Sequence, residues 1–285
     1  LVSEARQKCA NHIFKLGGNV YAFDSTTIDL CLSVFWWAKF RKKKGGIKVH
    51  TLYDVETQIP AFFHITEASV HDSKVMIEIP YEPSSYYIFD RGYNNFKILY
   101  KIHQIEVYFV VRAKKNLGYK SIQWKRRLPK NVLSDASVLL TGFYPKQYYP
   151  EPLRLVKYWD EEQEREFIFI TNAMHISALQ VAELYKNRWQ VELFFKWLKQ
   201  HLKIKRFWRT TENAVRIQIY AAICAYCLVA IIQHDMQLNR STYEVLQILS
   251  ISLTDKTHLR DLFDKTKFQN DKERFGPNGP SLFNF

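Results

Sequence analysis

A chain of 285 residues, 47% hydrophobic and 24% charged, can bury a substantial core, which excludes a fibrous or largely disordered protein. Lysine and arginine number 41 against 28 aspartates and glutamates, and the resulting formal charge of +13 favours a polyanionic partner such as nucleic acid. Four cysteines, Cys9, Cys31, Cys224 and Cys227, are too few for a disulfide scaffold and point to a reducing compartment.

The opening residues hold no long apolar leader. Asn19–Ile28 reads as a first strand. Ile47–Tyr53 and Ile59–Ile65, separated by the turn Glu56-Thr57-Gln58, read as a hairpin. A short helix from about Asp72, a buried strand Tyr86–Phe89, a helix from about Asn95 to His103 and a strand Val107–Val111 follow. This order predicts an α/β class and is compatible with a ribonuclease-H-like sheet. From about Arg112 to Ile170 the pattern changes to short β-like pieces, Ser137–Leu140, Leu153–Trp159 and Phe167–Ile170, which predict a β-rich insertion. Ser177 followed by Gln180 has capping-box spacing and starts a helix expected to run to about Lys203. Helices over Asn213–Met236 and Ser241–Leu249 and a poorly ordered tail, Lys265–Phe285, complete the reading.

Within the second of those helices the apolar run Ile219–Ile232 has 14 residues, short of the ~20 that span a bilayer, and predicts a buried helix with no membrane role. Cys224 and Cys227 have C-x-x-C spacing there, but with no second Cys/His pair nearby they read as core packing.

The chemistry-bearing residues stand out against this frame. Asp24 and Asp90 are expected at neighbouring strand ends, where a sheet displays functional groups. Carboxylates placed together repel, and sites that gather them bind hard divalent cations. Tyr185, Arg188, Glu192 and Lys199 fall within an arc of about 60° at roughly 100° per residue, beside an apolar stripe of Leu184, Val191, Phe195 and Leu198. One acid among two cations and a phenol suits Glu192 as a third metal ligand, with Tyr185, Arg188 and Lys199 on phosphate. Lys48 and His50 lie on the strand expected beside Asp24, where they read as DNA or supporting contacts or, equally, as structural residues. His64 and the pair His71-Asp72 lack a nucleophile context such as G-x-S-x-G, which disfavours hydrolase-triad chemistry. Basic runs at Arg41–Lys44, at Lys114 and Lys115 with Lys125, Arg126 and Arg127, and at Lys203, Lys205, Arg206 and Arg209 favour DNA backbone binding. Trp124, beside the middle run, reads either as a base-stacking surface or, with Trp159, as the insertion's small core.

Asp24 in FDST, Asp90 in the tetrad Asp90-Arg91-Gly92-Tyr93, and Glu192 in the spacing Y-x2-R-x3-E-x6-K resemble the DDE triad and Y-R-E-K signature of the insertion-sequence-four transposases. The surrounding LYKNRWQVELFFKWLKQHLKIK and WAKFRKKKGGIKVH are similar to the same family, from about residue 15 to about residue 260. The resemblance implies a ribonuclease-H-like core in two parts, 19–111 and 176–260, split by the insertion 112–175, which fills the 102 residues between Asp90 and Glu192. Residues 1–18 then correspond to a remnant of the N-terminal helical region that relatives use on transposon ends, and 261–285 to a tail. It implies two Mg²⁺ ions, replaceable by Mn²⁺, on Asp24, Asp90 and Glu192, with Arg91 among the DNA contacts. It further implies double-stranded DNA as partner, assembly as a homodimer on that DNA, a cytoplasmic, nucleoid-associated bacterial location, and cleavage followed by strand transfer. The rival expectations are a plain ribonuclease-H-like nuclease and an inactive, transposase-derived DNA-binding protein.

Overall fold

The structure, a computed structural model, describes residues 1–10, 14–31, 33–41, 44–201, 207–240, 242–252, 258, 260 and 263. The chain divides into two compact units, Leu1–Ile231 and Ile232–Phe285.

The first unit is organised by a mixed sheet of ten strands among the described residues. After helix α1 (Val2–Lys8) comes the long strand β1 (Val20–Leu30), followed by β2 (Lys39–Arg41), β3 (Lys44–Asp54) and β4 (Ile59–Glu67). These pair antiparallel in the order β1–β3–β4, with β2 on the end of β3. The short helix α2 (Asp72–Val75), strand β5 (Tyr86–Phe89), helix α3 (Phe96–Gln104) and strand β6 (Tyr108–Arg112) then form crossovers, so that β5 and β6 run parallel to β1. All four residues of β5 are buried because both faces of the central sheet are covered, which makes YYIF a continuous apolar run. Gly18 lets the start of β1 approach the start of β5: a Cβ there would lie 2.0 Å from the Ser84 carbonyl oxygen.

Strands β7 (Tyr119–Trp124), β8 (Val132–Leu140), β9 (Leu153–Asp160) and β10 (Arg165–Thr171), with helix α4 (Phe143–Tyr148) after β8, occupy the region expected to be β-rich. They extend the main sheet, in the order β1–β5–β6–β10–β9–β8–β7. The join is antiparallel, Phe169, Ile170 and Thr171 of β10 lying opposite Arg112, Val111 and Val110 of β6. Without β10, β6 would present a bare apolar edge. Strand β7 was not expected from the sequence because its outward residues are mostly polar and exposed, so it lacks an apolar period.

Side-chain alternation along β1 builds two cores. Val20, Ala22 and Ile28 pack toward α5 (Ala178–Lys186), α6 (Trp189–His201) and α7 (Glu212–Asp235), while Tyr21 and Phe23 pack with Val75, Leu99 and Ile102 on the other face. The predicted stripe Leu184, Val191, Phe195 and Leu198 is buried in the first core.

The single helix expected from Ser177 to Lys203 is two helices. Ser177 caps α5 with both halves of the predicted capping box. Asn187 then ends α5: its side-chain amide donates to the Glu183 carbonyl, and Arg188, Gln190 and Val191 make bonds three residues back, to Tyr185, Asn187 and Arg188. An Asn that competes for backbone acceptors, followed by tight i→i−3 bonding, turns the chain between α5 and α6. Tyr185 therefore lies on α5, Arg188 at the junction, and Glu192 and Lys199 on α6.

Helix α7 is 24 residues, ten more than the apolar run within it. By length and composition it could cross a membrane, but Val215, Ile219, Ala222, Ile223, Tyr226 and Cys227 are buried in the first core, and Val229 is buried as well. Of the C-x-x-C pair, Cys227 is buried and Cys224 exposed. In the second unit, Gln233 Nε2 donates to the Arg240 carbonyl and α8 (Thr242–Ser252) buries Val245 and Ile248. The expected tail 265–285 lies outside the described residues, as do Lys203, Lys205 and Arg206.

Candidate active site

Asp24 lies in the middle of β1, not at its end as expected, but one residue beyond its last pairing with β5 (Phe23 opposite Phe89). Asp90 is the residue directly after Phe89, so the two acids emerge side by side where β5 stops. Asp90 also stands immediately before the short 3₁₀ turn Arg91–Tyr93, without a side-chain capping bond to it. Tyr93 is buried against Phe23 and Phe89, its hydroxyl pKa raised by burial and by the charges of Asp24 and Asp72.

The α5–α6 junction closes the site from above. The Tyr185 hydroxyl donates to Asp90 Oδ1 at 2.9 Å. Arg188 donates through Nη1 to Asp24 Oδ2 at 2.7 Å and through Nη2 to Glu192 Oε1 at 2.5 Å, with its guanidinium 5.6 Å from the Tyr185 ring centroid. One guanidinium thus bridges two of the three predicted acids, and a phenol holds the third. The side chains of Arg188, Asp24 and Glu192 are 14%, 21% and 33% exposed, so the network faces solvent on one side only. Arg188 Nε is buried with no hydrogen-bond partner among the described residues.

The electrostatics follow from this packing. The Asp24 carboxyl is raised to about 6, by burial first and then by Glu192 and Asp90, against the opposing pull of Arg188 and the Ser25 N–H. Burial opposes the charge on Arg188, but Tyr185, Asp24 and Glu192 outweigh it and hold the guanidinium above its ordinary range. Burial and then Asp90 push the Tyr185 phenol up to about 12, which keeps it a donor. Among the described residues no three His, Cys, Asp or Glu side chains are close enough to hold a metal ion, because the guanidinium stands between Asp24 and Glu192.

Behind β1 lies a polar group that sequence reasoning missed. Ser25, whose N–H donates to Asp24 Oδ1 at 2.8 Å, points its hydroxyl to the opposite face and donates to Asp72 Oδ1 at 2.7 Å. Lys48 pairs with the same Asp72 oxygen at 3.1 Å and donates to the Val70 carbonyl. Lys48 is therefore engaged behind the strand by Asp72 and the Val70 carbonyl, a supporting contact of the kind open to it from the sequence. Burial lowers the His50 pKa to about 4; it sits beside Asp72 and bonds Thr66 through Nε2. His71 accepts from the Ser73 N–H as the cap of α2, so His71-Asp72 is not a paired unit. The sequence signals for this group were Ser25 adjoining Asp24 and Lys48 and His50 on the strand expected beside it.

The remaining predicted contacts are dispersed. Lys199 is half-buried on α6, seven residues and so nearly two full turns beyond Glu192. Arg91 is exposed on its turn. Lys125, Arg126 and Arg127 are exposed at the end of β7, Lys125 pairing with Asp135 at 3.2 Å. Six strand spacings separate β7 from β1, roughly 30 Å at about 4.8 Å per strand. Trp124 is 62% exposed and Trp159 39%, so neither fills an insertion core. Beside the α5–α6 junction opens a cleft of about 770 Å³ lined by Arg112, Arg165, Lys186, Arg188, Phe167 and Trp189, and also by the acidic β9–β10 turn.

The site thus sets three acids against one arginine and one tyrosine on a strongly basic α/β chain. Comparison with known proteins gives the family: the model of the transposase DDE domain matches residues 15–228. A protein named as a transposase, y4zB of Sinorhizobium fredii, is 35% identical over 246 residues, covering 84% of this chain and 67% of that one. A protein named as a transposase for insertion sequence element IS5377, from Geobacillus stearothermophilus, is 30% identical over 72% of this chain and 54% of its own. One named for element IS4SA, from Synechocystis sp., is 25% identical over 83% of this chain and 67% of its own. The chain belongs to the DDE transposase family of insertion sequences, and its function is DNA transposition. Family membership brings with it DNA cleavage and strand transfer, binding at transposon ends and the use of a divalent metal.

Proposed function

We propose that Asp24, Asp90 and Glu192 are the acidic triad of a ribonuclease-H-like core and hold two Mg²⁺ ions, or Mn²⁺ in their place, for cut-and-paste transposition. The observation that carries this reading is the network in which Arg188 bridges Asp24 and Glu192 while Tyr185 holds Asp90. The strand order β4–β3–β1–β5–β6, with only β3 running against the other four, supports the ribonuclease-H-like assignment. The donor set suits divalent magnesium in kind, being three hard carboxylates, while in this structure Arg188 occupies the place between Asp24 and Glu192. When bound, the ions supply charge neutralisation at the scissile phosphate and activation of a water or a DNA 3′-hydroxyl.

The protein's own groups orient and neutralise. Tyr185 fixes Asp90 and Arg188 keeps Asp24 and Glu192 together; Arg188 also lines the neighbouring cleft, where Arg112, Arg165 and Lys186 offer further cations to a DNA phosphate. Lys199 and Arg91 add phosphate contacts, and Lys125, Arg126 and Arg127 with Trp124 hold DNA some 30 Å along the sheet, about nine base pairs at 3.4 Å per step. In-line attack at phosphorus asks little covalent help of the protein, so this positioning dominates. The core comprises 19–111 and 176–260, with 112–175 as a DNA-binding insertion that extends its sheet. The protein works as a homodimer on paired transposon ends, in the cytoplasm at the nucleoid.

The test is incubation with a duplex carrying the element's own inverted repeats, Mg²⁺ and target plasmid. Hydrolysis at the end followed by joined products is expected. Hydrolysis without joining would make the chain a plain nuclease, and binding without cleavage an inactive derivative.

A further inference from the structure

A strand sends successive side chains to opposite faces, and β1 uses this at its most reactive point. Asp24 points to the α5–α6 face, where Arg188 holds Oδ2. Ser25 points to the other face, where Asp72 accepts from its hydroxyl. The two are joined a second time, because the Ser25 N–H donates to Asp24 Oδ1. Both oxygens of Asp24 are thus fixed, one by an arginine in front and one by a residue that is itself pinned from behind.

The rear anchor is well supported. Asp72 starts α2 immediately after its cap, and on its other side Lys48 reaches across from β3 to the oxygen that accepts from Ser25. Lys48 is itself held by the Val70 carbonyl. The register of β1 and β3 sets His50 directly opposite Ser25, and its Nδ1 is 3.9 Å from Asp72 with no hydrogen-bond partner among the described residues. Burial keeps that imidazole neutral, so Lys48 supplies the positive charge.

We propose that Asp72 is a positioning residue for the active site: through Ser25 it holds Asp24 in the orientation needed to bind metal, with Lys48 fixing Asp72 in turn. The proposal rests on the reading of Asp24 as a metal ligand. Partners that orient a ligating carboxylate typically change metal affinity by about 10- to 100-fold when removed. Asp72→Asn and Ser25→Ala cut the same chain of contacts and are expected to act non-additively.

The experiment measures Mn²⁺ binding by electron paramagnetic resonance on the whole protein bound to a duplex of mixed sequence. Wild type, Ser25→Ala, Asp72→Asn, the double variant, Asp72→Glu and Asp24→Asn are compared, with thermal melting recorded for each. Both single variants should weaken Mn²⁺ binding by about tenfold or more, the double variant no further than the weaker single, and Asp72→Glu should restore part of it. Ser25→Ala keeps the inference testable if Asp72→Asn fails to fold. Wild-type affinity in Ser25→Ala, or losses that add in the double variant, would overturn the inference while Asp24→Asn still lost binding. Absence of bound Mn²⁺ in the wild type, or its retention in Asp24→Asn, would overturn the site reading itself.

Discussion

Replacing Asp135 by Asn tests how the sheet is tied to the catalytic helices. Arg154 on β9 is 2% exposed and Asp135 on β8 4%, and they meet in a two-pronged pair, Nε to Oδ1 and Nη2 to Oδ2, both at 2.7 Å. The remaining Arg154 nitrogen donates to the carbonyls of Ala173 and Ile176, just ahead of the Ser177 cap of α5. Asp135→Asn leaves a buried guanidinium without its counter-charge, which costs about 3–5 kcal/mol. For a chain of this size that is about 2–4 °C per kcal/mol, so melting should fall by roughly 6–20 °C. Burial alone would raise the Asp135 pKa, but the bonds and charge of Arg154 outweigh it and hold the carboxyl below the usual range. The stabilisation is therefore complete above the unfolded carboxylate pKa of about 3.9 and is lost as pH falls through the lower folded value. Urea titration and calorimetry at neutral and acid pH are the assays. A loss under about 1 kcal/mol, or a double Asp135→Leu, Arg154→Met protein less stable than the single variant, would refute the reasoning, since apolar replacement of both partners is often neutral.

Three further outcomes follow from the site. Tyr185→Phe removes the donor to Asp90 and should slow Mg²⁺-dependent cleavage by about tenfold or more, the equivalent of roughly 1.5–3 kcal/mol, with melting little changed. Single-turnover rates check it. Arg188→Ala and Lys199→Ala should each reduce cleavage and joining, and unchanged product yield in both would contradict their proposed roles on phosphate. Neutralising Lys125, Arg126 and Arg127 together should lower affinity for any DNA sequence and flatten the slope of log K against log salt by up to about 2.7, at about 0.9 per phosphate contact. An unchanged slope would leave that turn as a structural element.

Much of the central sheet was legible because its signals are local. YYIF is a continuous apolar run only if both faces are covered, and its bounds agree with β5 residue for residue. Ser177 and Gln180 declared the start of α5 through a cap that requires only four residues. What failed was non-local or hidden by periodicity. The break at Asn187 falls inside an uninterrupted helical pattern, and nothing but the competing Asn amide marks it. That β10 would pair with β6 depends on two segments some 60 residues apart, so the insertion read as a separate element although it continues the sheet. Asp24 and Asp90 were legible as strand-linked acids, yet their pairing with Glu192 came from the spacing signature and not from sheet patterning. Asp72 was set aside with His71 because a lone His-Asp dipeptide has no partner in sequence, whereas its partners Ser25 and Lys48 are brought by β1 and β3.

The central claim is that three acids on three elements form one metal-dependent site. Its most direct measurement is cleavage of end-bearing DNA in Mg²⁺ by Asp24→Asn, Asp90→Asn and Glu192→Gln, with DNA affinity determined in parallel. Each variant keeps its size and loses only its charge, so cleavage should fall on the order of a thousandfold or more while affinity, set by the basic surface, stays close to wild type. Near-normal Mg²⁺-dependent cleavage by any one of the three would contradict the account.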